Sequence, residues 1–248
     1  MNNNNFSNYN VINVYDKKST RSSLVTQILY GEKFKVISKY GNWWKAKLQN
    51  DGYKGYIIKK KFINKFKPSH KIYNLSAKLY SRPNKKNCIN KRLSFGSKIK
   101  VENKKNNYYK FDHYWIKKND VRKINFKSKD IFSDSYKFVN VKYKWGGKHF
   151  NGIDCSGLIQ LFLNFNNKFC PRDTKDQIKY FKKKIKLKSI KKNDLIFWKG
   201  HVAIAISKRE LIHAYGPKKK TLVMPIDKTI RRIYKTANLK VLGVRRIV

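Results

Sequence analysis

Acidic residues are scarce in this sequence. The 248 residues include 14 Asp and Glu against 60 Lys and Arg, which gives a formal net charge of +46 at pH 7. A nucleic-acid-binding protein can have this balance, because Lys and Arg contact phosphates. However, only ten of the basic residues are Arg, the type preferred for bidentate contacts. We therefore interpret the charge as a compositional bias of the solvated surface and expect no specific nucleic-acid partner.

Cysteine is also rare. The chain has three cysteines, Cys88, Cys155 and Cys170. An odd number cannot form a complete set of disulfides, and none of them lies in a CxxC arrangement that would indicate a structural zinc site. We expect reduced thiols, no metal and no cofactor. One of the three thiols could then act as a nucleophile.

Long apolar runs are missing. No run approaches the roughly 18–20 residues that a membrane helix needs. The start, MNNNNFSNYN, lacks both the basic segment and the apolar core of a secretory signal. We therefore expect a cytoplasmic protein without a membrane span, with residues 1–10 as a disordered tail. The aromatic content of 15 % predicts that the rest of the chain folds.

The first half of the chain has the pattern of small β domains. Residues 11–70 contain short alternating runs broken by turn residues, such as VINVYD, LVTQILY and WWKAKLQN. This pattern is typical of a small antiparallel sheet or barrel. A second stretch of the same kind covers residues 71–125. Two all-β domains are therefore predicted before residue 126.

These two stretches repeat each other. The segment YGEKFKVISKYGNWWK, from Tyr30, aligns without a gap with FGSKIKVENKKNNYYK, from Phe95. The informative matches are a glycine, a valine and an aromatic pair: Gly31 with Gly96, Val36 with Val101, and Trp43-Trp44 with Tyr108-Tyr109. The repeat predicts two related β modules.

After about Phe126 the pattern becomes mixed. The segment SKDIFSDSYKFVN predicts a helix that starts near Ser128 or Asp130. The segment GIDCSGLIQLFLNF predicts a second helix with Asp154 at the N-cap. Strand-like runs follow: DLIFW, HVAIAI, ELIHAY, TLVMPI and VLGVRRIV. Helices followed by strands predict an α+β domain over residues 126–248.

Cys155 is the strongest candidate nucleophile. It lies in the first turn of the second predicted helix, where the partial positive charge of a helix N-terminus favours a thiolate. The small residues Ser156 and Gly157 allow a substrate backbone to approach. Cys88 and Cys170 have no such setting. The alternative is a buried structural cysteine, but an Asp cap and flanking glycines fit that interpretation poorly.

Two histidines could serve this thiol. His201 begins the run HVAIAI and His213 lies in ELIHAY. Adjacent antiparallel strands would bring both to one edge of a sheet, facing the Cys155 helix. His201 could then deprotonate the thiol while His213 holds its second ring nitrogen. Taken alone, each is a polar residue at the end of a strand.

Four separated blocks carry a family resemblance. YKWGGKHFNGIDCSGLIQ, PRDTKDQ, DLIFWKGHVAIAI and LIHAYGP resemble the signature blocks of the NlpC-type cysteine peptidases, a papain-like superfamily that cleaves cell-wall peptides. The resemblance covers about residues 127–248. The β modules at 11–70 and 71–125 resemble bacterial SH3-like domains. The layout is similar to that of cytoplasmic γ-D-glutamyl-L-diamino-acid endopeptidases of the dipeptidyl-peptidase VI type.

The resemblance implies roles for particular residues. Cys155 would be the nucleophile, His201 the general base and His213 the orienting residue, while Tyr143 would help to stabilise the oxyanion. The implied substrate pocket comprises Trp145, Asp154, Ser156 for the α-carboxylate of D-glutamate, Asp173 for the free amine of L-alanine, and Thr174 in place of a frequent Ser.

The first β module would limit the pocket at the substrate's N-terminus. Glu32 is the candidate acid there, and either Tyr53 or Tyr56 is the candidate tyrosine. The alternative for Glu32 is a solvated turn residue. The implied partner is a murein peptide such as L-Ala-γ-D-Glu-diaminopimelate, or its lysine form, bound by a monomer.

Two other functions remain open at this point. A related peptidase could act on intact peptidoglycan. A protein of a different class would bind the cell wall or nucleic acid through basic SH3-like modules without catalysis. The combination of Cys155, His201 and His213 argues against the second alternative, because a binding module needs none of them.

Overall fold

The computed structural model describes residues 4–247, which form two compact units. The first unit extends to Lys127 and also includes Lys148–Phe150. The second unit comprises Ser128–Gly147 and the chain from Asn151 onward. The division lies next to Phe126, where the sequence pattern changes.

The first unit opens with a six-stranded antiparallel sheet in the order β1-β4-β5-β6-β2-β3. Its strands are β1 (Asn4–Phe6), β2 (Val11–Tyr15), β3 (Leu24–Leu29), β4 (Lys33–Tyr40), β5 (Trp43–Leu48) and β6 (Lys54–Ile58). Strand β1 pairs with β4, so the expected disordered tail is wrong for Asn4–Phe6. Residues 1–3 of that tail lie outside the described residues. The core of this sheet consists mainly of aliphatic side chains on alternate positions, such as Ile12 and Val14.

Two further sheets lie in the first unit. The three-stranded sheet comprises β7 (His70–Ile72), β10 (Lys98–Ile99) and β14 (Val121–Lys123). The five-stranded sheet comprises β8 (Ser76–Tyr80), β9 (Cys88–Ser94), β11 (Asn103–Lys105), β12 (Tyr108–Phe111) and β13 (Tyr114–Lys117). Strand β7 spans the expected boundary near residue 70.

The sequence repeat has a structural counterpart in two tight hairpins. Strands β4 and β5 are joined by a turn in which Gly41 has φ +55°, and strands β11 and β12 by one in which Asn106 has φ +50°. Both residues suit this left-handed conformation, as two-residue hairpins require. The residues that close the two turns stand at equivalent repeat positions: Tyr40 with Trp43, and Lys105 with Tyr108. The structure thus supports the repeat, while a second SH3-like barrel stays a prediction.

The second unit has α+β architecture. A six-stranded antiparallel sheet has the order β17-β22-β18-β19-β20-β21, and helix α1 packs against β19 and β20. The remaining short strands are β15 (Lys148–His149), in the first unit, and β16 (Gly152–Ile153). The other elements are α1 (Cys155–Phe165), α2 (Thr174–Tyr180), β17 (Lys183–Ile185), β18 (Asp194–Trp198), β19 (His201–Ala205), β20 (Glu210–Tyr215), β21 (Lys220–Pro225), α3 (Ile226–Ala237) and β22 (Gly243–Arg246).

The first helix predicted for this unit is largely wrong. Only a short 3₁₀ helix forms, at Ser133–Phe138. The carboxylate of Asp130 accepts the backbone N–H of Phe132, and the hydroxyl of Ser133 donates to the backbone carbonyl of Asp130. These local bonds stabilise a turn in place of a regular helix.

Candidate active site

The predicted helix around Cys155 is confirmed, and the cysteine is its first residue. Asp154 caps α1, with its Oδ1 accepting the N–H of Gly157 at 2.7 Å. Cys155 is 5 % exposed, and its Sγ lies 4.0 Å from the carbonyl oxygen of Gly200. The backbone N–H of Val202 also contacts the sulfur. Gly200 and Val202 flank His201, so the sulfur faces the start of β19.

Tyr143 is held beside the strand that leads to the cysteine. It forms a parallel bridge with Ile153, in which Ile153 N–H donates to Lys142 O and Lys144 N–H donates to Ile153 O. Burial raises the pKa of Tyr143, and the neighbouring Cys155 and Asp154 raise it further. The phenol therefore keeps its proton and remains a hydrogen-bond donor near the sulfur.

The two histidines meet as the strand pattern predicts. They lie on the adjacent antiparallel strands β19 and β20, with His201 Nε2 2.9 Å from His213 Nδ1. If His201 donates this bond, its Nδ1 is left as the acceptor for the thiol proton, and His213 carries its own proton on Nε2. Within residues 4–247 that Nε2 is buried and has no hydrogen-bond partner. The His213 ring stacks on Tyr215, at 4.7 Å between centroids.

Burial sets the protonation of Cys155 and the two histidines. It raises the pKa of the Cys155 thiol to about 12, an effect to which the Asp154 charge adds. It also lowers the pKa of His201 to about 4 and that of His213 well below its usual value. The sulfur and the imidazole are therefore both neutral at pH 7. The expectation that the helix N-terminus keeps this thiol ionised is wrong, because lost hydration outweighs the contacts that favour the thiolate.

A charged network lies directly under the start of α1. Arg172 is 2 % exposed and donates to both carboxylate oxygens of Asp154, at 3.0 and 2.6 Å. It also donates to Ser156 Oγ at 2.8 Å, and that hydroxyl donates to Asp154 Oδ1 at 3.2 Å. Gly146 N–H donates to Asp154 Oδ2. The carboxylate thus links the start of α1 with Arg172 and with the turn Trp145-Gly146-Gly147, called the WGG turn below.

The sequence singled out Asp154 and Ser156 but missed Arg172. In this network Asp154 acts on the protein's own groups, and the hydroxyl proton of Ser156 points to Asp154. Contact of either residue with a substrate stays a prediction. Arg172 could have been found because it is an arginine in a chain where most basic residues are lysine. The planar guanidinium of an arginine suits a buried carboxylate.

Other pocket candidates lie near this network or at the surface. Asp173 is the half-buried N-cap residue of α2, and Thr174 is the first residue of that helix. Trp145 is 62 % exposed. Cys170 is fully buried, with Sγ 3.4 Å from Gln177 Nε2. The roles that the resemblance implies for Trp145, Asp173 and Thr174 stay predictions.

Glu32 is buried within the first unit, so it is not a solvated turn residue. Its carboxylate accepts the N–H of Leu29 at 2.8 Å and the amide of Asn50 at 3.2 Å. Lys148, 1 % exposed, places its Nζ 3.2 and 3.4 Å from the two carboxylate oxygens. This ion pair compensates the charge that was expected to attract a substrate amine. Recognition of the amine by Glu32 stays a prediction.

The two candidate tyrosines of the first module have different surroundings. Tyr53 lies in the turn before β6, where its N–H bonds to Asp51. Tyr56 lies on β6, paired with Lys45, whose ammonium stands 5.7 Å from the ring centroid. The structure does not choose between them, and the role of either stays a prediction.

Within residues 4–247 no helix has both the length and the apolar character that crossing a bilayer requires. Over the same range, no three His, Cys, Asp or Glu side chains converge in a way that could hold a metal ion.

Comparison with known families identifies the domains. Residues 140–239 match the NlpC/P60 family, and residues 10–63 match the bacterial SH3 domain. The chain therefore contains an NlpC/P60 domain, which belongs to a family of cysteine peptidases, preceded by a bacterial SH3 domain.

Individual relatives match most of the chain. The γ-D-glutamyl-L-lysine dipeptidyl-peptidase of Bacillus subtilis is 27 % identical over 246 residues, covering 87 % of this chain and 81 % of that protein. The protein of the same name from Bacillus cereus is 24 % identical, covering 83 % of this chain and 72 % of that protein. The crystal structure of a B. cereus NlpC/P60 family protein superposes with a TM-score of 0.82 at 19 % identity, over 98 % of this chain and 99 % of that chain. This last match establishes the shared fold.

Proposed function

We propose that this protein is a cytoplasmic cysteine peptidase of murein peptide recycling. It hydrolyses the γ-D-glutamyl–diamino acid bond in peptides with a free N-terminal L-alanine. The single observation that carries the peptidase function is the buried Cys155 sulfur at the start of β19, where His201 is hydrogen-bonded to His213. The names of the Bacillus relatives support the choice of bond.

The first step forms a thioester. The thiol proton moves from Cys155 Sγ to Nδ1 of His201 as the sulfur attacks the γ-carbonyl carbon of D-glutamate. The resulting imidazolium donates through Nε2 to His213 Nδ1. This nitrogen can accept the hydrogen bond because His213 stays neutral. The oxyanion is stabilised by the N–H of Cys155 and the hydroxyl of Tyr143. Loss of one such donor costs about 2.7–4 kcal/mol of transition-state stabilisation.

The tetrahedral intermediate then collapses to the thioester, and water releases the dipeptide in a second step. The imidazolium protonates the amine of the diamino acid as the C–N bond breaks, and the neutral His201 then takes a proton from water. The hydroxide attacks the thioester carbon, and the C–S bond breaks as the His201 imidazolium returns its proton to the sulfur. Since each proton returns through His201, the cycle requires no cofactor.

Substrate selection follows from charge. In a chain of net charge +46, a carboxylate near the cleft is a local exception that favours an ammonium group. Asp173, the residue after the buried Arg172, supplies such a carboxylate in the second unit. A free L-alanine amine would therefore be preferred to the blocked amine of an intact peptidoglycan stem.

Cleavage of matched peptides tests this function. The protein is incubated with L-Ala-γ-D-Glu-diaminopimelate, with its lysine analogue, and with the N-acetylated form of each, and products are identified by mass spectrometry. We expect release of L-Ala-D-Glu from the free peptides and at least a tenfold slower reaction of the acetylated ones. Equal rates would contradict selection for a free amine. Cleavage of purified peptidoglycan without cleavage of either free peptide would favour the intact-wall alternative.

A further inference from the structure

The Asp154–Arg172 pair stands out among the buried charges of the second unit. Asp154 immediately precedes Cys155, and both of its oxygens are engaged by one guanidinium. Arg172 is nearly inaccessible to solvent, so it serves groups inside the protein. A cap residue needs only one carboxylate oxygen to bond the helix N–H groups. The complete bidentate pairing is more than capping requires.

The position of this pair next to the Cys155 sulfur means that its charges affect ionisation of the thiol. A carboxylate next to the nucleophile opposes the negative charge that develops on sulfur when the proton leaves. The charge of Asp154 acts on Cys155 in this direction, and the charge of Arg172 acts in the opposite one. In a buried site the two effects are poorly screened, so the loss of either partner would be felt strongly.

We propose that Arg172 is a positioning residue for the nucleophile. Its guanidinium compensates Asp154 so that this carboxylate can hold the cap and the WGG turn without preventing ionisation of Cys155. The same guanidinium fixes Ser156 Oγ, one residue after the cysteine. This inference rests on the cysteine-peptidase function proposed above and adds to it a residue that acts through Asp154.

The groups that face the sulfur define the expected pH response. They are Asp154 and Arg172 below the helix, Tyr143 on the preceding loop, and His201 at the start of β19. Replacing Arg172 by Gln leaves Asp154 uncompensated and makes the thiolate harder to form. Replacing Asp154 by Asn leaves the guanidinium uncompensated and makes it easier to form. Changing both residues cancels the two shifts.

Alkylation of Cys155 by iodoacetamide, followed residue by residue with mass spectrometry between about pH 5 and 10, tests this prediction without a peptide substrate. Below the thiol pKa the logarithm of the alkylation rate rises linearly with pH. For Arg172→Gln we expect this line to be displaced toward higher pH by at least one unit, with a rate at pH 7 about tenfold lower. Asp154→Asn should be displaced downward, and the double variant should lie near the wild type. Arg172→Lys keeps the charge, so its rate should stay within a few-fold of the wild-type rate.

Arg246 provides a matched control, because it forms a second fork of the same kind with the buried Asp194 in this unit. Arg246→Gln should lower the melting temperature and leave the alkylation profile of Cys155 unchanged.

Equal profiles for Arg172→Gln and the wild type, or equal shifts for the two arginine variants, would overturn the proposal. If Arg172→Gln does not fold, Asp154→Asn and the double variant decide the question, and identical profiles for these two would overturn it. A protein that shows the shifts but cleaves no tripeptide would contradict the substrate and leave the role of Arg172 intact.

Discussion

At the scale of residues, burial decides how the candidate catalytic groups titrate. The sequence places Cys155, His201 and His213 correctly, because a capped helix and two apolar strands are local patterns. The ionisation of Cys155 could not be predicted in the same way, since desolvation depends on how tightly α1 packs on the sheet. The burial of Lys148 could not be predicted either, because the sequence pattern does not distinguish a buried lysine from the rest of the fifty lysines.

The neutral thiol–imidazole pair predicts a specific pH profile. His201 must be neutral to accept the thiol proton, and it becomes protonated as the pH falls through about 4. The value of kcat/KM for the free tripeptide should therefore stay level from about pH 8 down to about pH 5 and fall below that. A half-maximal rate near the ordinary histidine pKa of 6.5 would contradict the desolvation of the half-buried His201 imidazole. Circular dichroism at each pH separates titration from unfolding.

At the scale of elements, the local sequence pattern was sufficient to predict a helix or strand where one face of that element is apolar. They predicted α1 and the strands β18, β19 and β20. Helix α3 was missed, although Ile226, Ile230 and Ile233 recur at helical spacing and pack into the core of the second unit. The segment follows the strand-like run TLVMPI directly, without a capping side chain to mark its start.

Gly157 tests how closely the cap of α1 packs. A Cβ at this position would lie 2.5 Å from the carbonyl oxygen of Gly147 and 2.9 Å from Asp154 Oδ1. Ala usually stabilises a helix interior by about 0.5–1 kcal/mol relative to Gly. Here we expect Gly157→Ala to destabilise the unit by about 1–3 kcal/mol, because the backbone cannot move aside freely. Thermal melting measures this, with Asn164→Ala in the same helix as the control. An increase in melting temperature for Gly157→Ala would show that the cap is loosely packed.

At the scale of the whole molecule, the order of the domains could be predicted because each domain has its own sequence pattern in a separate part of the chain. Signature blocks mark the NlpC/P60 domain, and alternating runs mark the β modules. The gapless repeat predicted two related β modules. The equivalent hairpins at Gly41 and Asn106 agree with that prediction, since a repeat without insertions preserves the register. The net charge conveys less, because it is spread over the surface and does not locate a partner. The absence of a specific nucleic-acid partner stays a prediction.

The central claim is that one sulfur, Cys155, performs the hydrolysis. The most direct test measures release of L-Ala-D-Glu from the free tripeptide by Cys155→Ala, Cys88→Ala and Cys170→Ala, each shown by thermal melting to be folded. Cys155→Ala should release no detectable product, while the other two variants stay within a few-fold of the wild-type rate. Product release by Cys155→Ala at the wild-type rate, or equal loss in all three variants, would contradict the account.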